Sequence, residues 1–135
     1  MTTLDSLRDG LATNLGTIDG LRVSPDLPEQ INPPMAVVGL QSIIYDQAFQ
    51  KGLVIYNFQV PVLAARASDR WAQKRLDQFM STTGTDSIKE AIESDKTLGG
   101  VAFDVRVTEM GSIGTVELES NMYLAAEFVV EVYSD

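Results

Sequence analysis

Histidine and cysteine are both absent from this 135-residue chain, so its chemistry rests on carboxylates, hydroxyls, amines and guanidiniums. Ser-His-Asp and Cys-His nucleophilic sets, disulfide frameworks and Cys/His zinc sites are thereby excluded. No Ser-x-x-Lys occurs either, which removes the simplest serine–lysine signature. Two carboxylate pairs remain. Glu117 and Glu119 fall on one face of an expected strand, as do Glu127 and Glu131. Paired acids can divide general acid and base roles or hold a hard cation. The stronger reading is the solvent face of an amphipathic strand, which alternates acids with apolar residues for no catalytic reason. Leu98-Gly99-Gly100 and Gly111-Ser-Ile-Gly114 lack both phosphate-loop patterns and read as turns.

A second constellation is basic. Arg66, Arg70, Lys74 and Arg75 place four of the ten cations within ten positions, and spacings of four and four put Arg66, Arg70 and Lys74 on one helical stripe. Such a stripe either faces water or meets an acidic surface or phosphates. Trp71, the only tryptophan, sits on its flank, and Trp with Arg is the pairing enriched at interface hot spots.

The elements that carry these residues follow from composition and periodicity. One domain spanning residues 1–135 fits the length. Leu, Ile, Val and Phe supply 39 residues, well above the level of a disordered chain, and a core burying roughly two thirds of the unfolded surface is within reach. The longest strictly apolar run, Met122 to Ala126, is too short to cross a bilayer. The start carries two acids and no basic region before an apolar stretch, so no signal peptide is expected and a cytoplasmic location is the default. A net charge of −9 argues against a sequence-reading nucleic-acid binder.

Leu4, Leu7, Leu11 and Leu15 predict a helix over 3–15, capped by Thr2 or Thr3 and closed at Gly16, with Gly10 as an internal cost of up to about 1 kcal/mol. Leu21 to Ser24 is a short strand. Pro25 to Pro34 holds four of the five prolines, an extended arm that either reaches a neighbour or crosses between elements of one sheet. Met35 to Ile44 and Leu53 to Leu63 read as strands joined by a turn at Asp46 to Gly52. Val54, Tyr56, Phe58, Val60 and Val62 share one face of the second, while Leu53, Ile55 and Leu63 fall on the other. Pro61 lacks an N–H, which predicts an edge or a bulge at its end of that strand.

Ser68 is the expected cap of a helix reaching Met80, with Ala72, Leu76 and Phe79 inward, Arg70 and Lys74 outward and Trp71 at the boundary. Ser87 and Glu90 read as a capping box for a short helix that Leu98-Gly99-Gly100 ends. Val101, Phe103, Val105 and Val107, then Leu124, Ala126, Phe128, Val130 and Val132, mark the inward faces of an antiparallel pair. Glu109 to Asn121 between them is either a long loop or an extension of the hairpin. The order α-β-β-β-α-α-β-β gives an α+β domain: a mixed, mainly antiparallel sheet with helices packed on one face.

Several segments in this order carry a family resemblance: Leu21-Arg-Val-Ser-Pro25 with Gln30-Ile-Asn-Pro-Pro34, Ala67-Ser-Asp-Arg70 through Leu76-Asp77, Thr97-Leu-Gly-Gly100 with Val105-Arg-Val-Thr-Glu109, and Tyr123 to Val132. Over nearly the whole chain they resemble small head-to-tail connector proteins of long-tailed phages infecting actinobacteria, and among those the tail terminators. The resemblance implies the α+β fold of lambda-like terminators and a structural protein without catalysis or cofactor. It also implies a hexameric ring that caps the tail tube, stops its polymerisation and joins it to the head. The implied partners are further copies of the chain, the major tail tube protein, a head-closure or stopper protein, and genomic DNA passing through without sequence-specific binding. The implied location is the tail–head junction of the virion, assembled in the host cytoplasm.

The resemblance assigns no contact residues. The residues themselves offer Pro33, Pro34, Arg66, Arg70, Trp71, Lys74, Glu117 and Glu119 as candidate contacts between subunits or with partners. A domain of this length has a radius of gyration of about 14 Å, too small to encircle a duplex alone. Six copies at −9 apiece carry −54, which suits a conduit that repels DNA. The competing expectations are another neck or minor tail component, a small ligand-binding domain or enzyme using paired carboxylates, and a nucleic-acid binder using the Arg66 to Arg75 stripe.

Overall fold

Thr3 opens the first helix with a reciprocal cap: its hydroxyl accepts from the Ser6 N–H, and the Ser6 hydroxyl accepts from the Thr3 N–H. The computed structural model describes residues 3–24, 30–45, 52–118 and 120–134. Helix α1 (Leu4–Leu15) ends at Gly16 and buries Leu7, Leu11 and Leu15 completely. Each such leucine stabilises the fold by about 1.5–3 kcal/mol relative to exposure. Gly10 has a packing reason: a Cβ there would stand 2.7 Å from the Leu98 Cβ. The glycine lets α1 close on the short 3-10 turn Leu98–Gly100.

Strands β1 (Arg22–Ser24), β2 (Met35–Val37), β3 (Gly39–Ile44) and β4 (Val54–Arg66) follow, then helices α2 (Ala72–Met80) and α3 (Ile88–Ile92), then strands β5 (Asp104–Leu118) and β6 (Asn121–Ser134). The six strands form one sheet in the order β1-β2-β4-β6-β5, with β3 also paired to β4. Only β1 and β2 run parallel; every other pairing is antiparallel. The main core lies between the helices and one sheet face, where Phe58, Val60, Val62, Phe128, Val130 and Val132 meet the leucines of α1, Leu76 and Phe79 of α2, and Ile88 and Ile92 of α3. The fold is therefore α+β with a mixed, mostly antiparallel sheet. Among the described residues no helix is long and apolar enough to cross a membrane.

The order differs from expectation by one strand, and Pro61 is the reason. The register pairs Met35 with Leu63 and Ala36 with Val62, then resumes at Gly39 with Gln59. Continued through the gap, it sets Val37 opposite Pro61, where a ladder N–H is missing, and Met35 to Ile44 divides there into β2 and β3. Pro61 is thus not at a sheet edge: β4 is an inner strand, paired on its other side to β6 along most of its length. The described end of the proline arm, Gln30 to Pro34, is neither helix nor strand. The arm joins β1 to β2 within the sheet, and Arg22 Nη1 donates to the Asn32 and Pro33 carbonyls. Residues 25–29, and most of the expected turn at Asp46 to Gly52, lie outside the described residues.

Three further local expectations change. Ser68 does not cap α2, because Asp69 Oδ1 takes the Trp71 N–H and the helix starts at Ala72. Ser87 caps α3 through the Glu90 N–H, but the Glu90 carboxylate turns to the Gly84 N–H, so the box is not reciprocal. Helix α3 ends at Ile92, before the Leu98–Gly100 turn. The Ala102 N–H is tied to the Thr97 carbonyl, so β5 begins at Asp104 and Phe103 faces solvent. Glu109 to Leu118 continues β5, which resolves that segment as an extension of the hairpin.

Candidate functional site

Strand β4 ends in a bulge between Leu63 and Ala65, and the bulge sets the geometry of the basic surface. An extra residue in a strand re-aims the side chains that follow it. Arg66 comes out exposed beyond it, Asp69 shapes the entry to α2, and the first turn of that helix brings Trp71 and Arg75 to the same place. From the other side of the sheet end, Arg22 on β1 and the prolines Pro33 and Pro34 complete the wall. The result is an open cavity of about 530 Å³ lined by Arg22, Arg66 and Arg75 with Trp71, and by one acid, Asp69.

Trp71 is 58% exposed, a large apolar area for a folded surface. Its ring carries two cations: Arg70 Cζ at 5.5 Å and Lys74 Nζ at 5.7 Å from the centroid. Such contacts contribute about 0.5–1 kcal/mol each at exposed sites and hold the ring against the helix. Three of the ten basic residues therefore line one cavity and two more flank it on the Trp71 ring, and among the described residues none of the five is ion-paired. Elsewhere Lys89 pairs with Glu93 at 2.6 Å and Lys96 with Asp104 at 3.9 Å, and Arg106 lies opposite Glu131 in the β5–β6 register.

The sequence candidates thus divide. Pro33, Pro34, Arg66 and Trp71 line the cavity, and Arg70 and Lys74 flank it through the Trp71 ring. Pro33 and Pro34 are half-buried in its wall. Glu117 belongs to another surface, exposed on β5 at the opposite edge of the sheet, and Glu119 lies outside the described residues. Glu127 and Glu131 are half-buried on β6; Glu131 accepts from the Tyr133 hydroxyl. That bond, with burial and the Glu131 charge, pushes the Tyr133 hydroxyl above the ordinary tyrosine range against the opposing effect of Arg106. Among the described residues no three acidic side chains gather as a metal site. Sequence reasoning missed Arg22, because nothing in a strand 44 positions before Arg66 signals that the arm will fold it onto the same cavity.

The other feature is the edge of the sheet. Strand β5 is its terminal strand, and its first part is covered. Glu93 Oε2 accepts the Val107 N–H at 2.9 Å, and Lys89 Nζ donates to the Val107 carbonyl at 3.5 Å. A carboxylate and an ammonium from α3 here occupy the places a neighbouring strand would take. Burial disfavours the Glu93 charge, yet the hydrogen bonds from Lys89 and Val107 and the charges of Lys89 and Lys96 outweigh it and hold the carboxyl below the ordinary glutamate range. From Glu109 to Leu118 no strand among the described residues pairs with the outer side of β5.

No family model matches the chain, and no curated protein matches it.

Proposed function

We propose that this chain is a structural virion protein, the tail terminator of a long-tailed phage, working as a hexameric ring without catalysis or cofactor. In this reading the ring seats on the last layer of the tail tube, stops its growth and offers its other side to a head-closure protein. One observation carries the reading beyond the resemblance in sequence: a 15-residue edge strand left open over its distal part, in a fold whose other prominent surface is an unpaired basic cavity. Open strand edges are normally blunted or covered because they pair with other chains, and this chain blunts its own only around Val107. The remainder suits a protein completed by assembly.

The chemistry agrees in sign. A chain at −9 gives a ring that repels the phosphate backbone, so DNA passes through without sticking. The partners in this reading are further copies of the chain, the tail tube protein and the head-closure protein. The test is to add purified protein to growing tail tubes and view them by electron microscopy. Capped tubes that stop lengthening are expected. Tubes that grow to the same length distribution with bare ends would overturn the reading.

A further inference from the structure

Charge on this chain is sorted by place. The cavity beside α2 is lined by three arginines and flanked by Arg70 and Lys74, none of them ion-paired among the described residues, while the described β5–β6 hairpin carries the acids Asp104, Glu109, Glu117, Glu127 and Glu131 against Arg106 as its base. The two surfaces share one end of the sheet: Arg66 at the end of β4 pairs with Tyr123 of β6, and Tyr123 pairs with Val116 of the terminal strand β5. Glu109 and Glu117 are exposed on the open length of β5, beside unpaired backbone groups. Among the described residues no ion pair joins the two surfaces within one copy.

We infer that the arginine cavity of one copy docks the acidic outer edge of β5 from the next, with Trp71 packing over the apolar part of the contact. The occupant is a second copy of this chain, chosen on charge complementarity: a cavity whose guanidiniums have no carboxylate partner among the described residues meets a hairpin poor in bases. Guanidiniums accept carboxylates through paired N–H donors, which fixes orientation as well as attraction. The contact is heterologous, since each copy contributes unlike surfaces, and repetition of such a contact makes a ring or an open filament. The inference deepens the proposed ring and rests on that reading for closure; the pairing of the two surfaces is its own content.

Neutralising variants test it. Arg66→Gln with Arg75→Gln removes two of the three arginine charges lining the cavity, and Glu109→Gln with Glu117→Gln removes the two exposed acids of the edge. All four side chains are exposed, so both variants keep the wild-type melting temperature. Sedimentation velocity over a concentration series is expected to show wild-type self-association that weakens with salt. Each variant should weaken it by about tenfold or more, the scale of a lost charge pair at an interface. Mixed together, the variants retain one good contact between them, so a 1:1 complex that grows no further is expected. Variants that associate and cap tubes as the wild type does would overturn the contact while leaving the ring reading intact. A wild type that stays monomeric both free and on tubes overturns both. Loss of duplex DNA binding in the arginine variant, with self-association unchanged, would assign the cavity to nucleic acid instead.

Discussion

Asn14 is the residue on which the helical layer turns. It is buried on α1, and its side-chain amide donates to the Ile92 carbonyl at 2.8 Å and the Asp95 carbonyl at 3.0 Å. The Ile92 carbonyl lies in the last turn of α3, where carbonyls lack partners within their own helix, and the Asp95 carbonyl beyond it also accepts the Leu98 N–H. One side chain thus joins elements 78 positions apart. Asn14→Ala removes the side-chain donor from the buried Ile92 carbonyl and is expected to cost about 1–3 kcal/mol, read from urea denaturation. A loss below about 0.5 kcal/mol would mean that water replaces the amide, contrary to the burial. Nothing in the sequence marked Asn14, because its leucine neighbours carry the helical period and its partners lie far along the chain. Gly10 was visible only as a cost. Its reason, the close approach of Leu98, is tertiary. Arg66, Arg70, Lys74 and Trp71 were legible as a group since helical spacing and proximity in sequence place them together. Arg22 was not, for want of either.

Among the elements, those with a clean period were read well. The leucine stripe of α1, the inward face of α2 and the alternation along β6 all hold, because burial on one face follows directly from 3.6- and 2-residue repeats. Of the two expectations for the Pro61 end of β4, the bulge is met, between Leu63 and Ala65, and the edge is not. A missing N–H needs a gap in the neighbouring strand, and a break between β2 and β3 supplies that gap as well as an edge does. The edge of β5 carries a pH prediction. The Glu93 carboxyl is held below its ordinary range in the folded chain, so its bonds to Lys89 and Val107 stabilise the fold at pH above the ordinary glutamate range. That contribution is lost as pH falls through the lowered folded value, where the carboxyl takes up a proton. Chemical denaturation from neutral to acid pH should therefore show the stability gap between wild type and Glu93→Gln closing on acidification. Hydrogen exchange at the Val107 amide should be faster in the variant near neutral pH. A gap independent of pH would remove the charge from the account of this edge.

At the scale of the whole molecule, a −9 chain with no histidine or cysteine is read as a part of an assembly. Half of its ten cations line or flank one cavity, acids outnumber bases on the β5–β6 hairpin, and among the described residues its long edge strand is covered by Glu93 and Lys89 near Val107. A protein of this size surrounds DNA only as several copies, so the proposed function stands or falls on assembly. The most direct measurement is the particle mass by light scattering, taken over a concentration series and again on material bound to and released from purified tail tubes. The account predicts a six-copy particle, about six times 14.7 kDa, formed in solution or on the tube. A particle that keeps the mass of one chain under both conditions would contradict it.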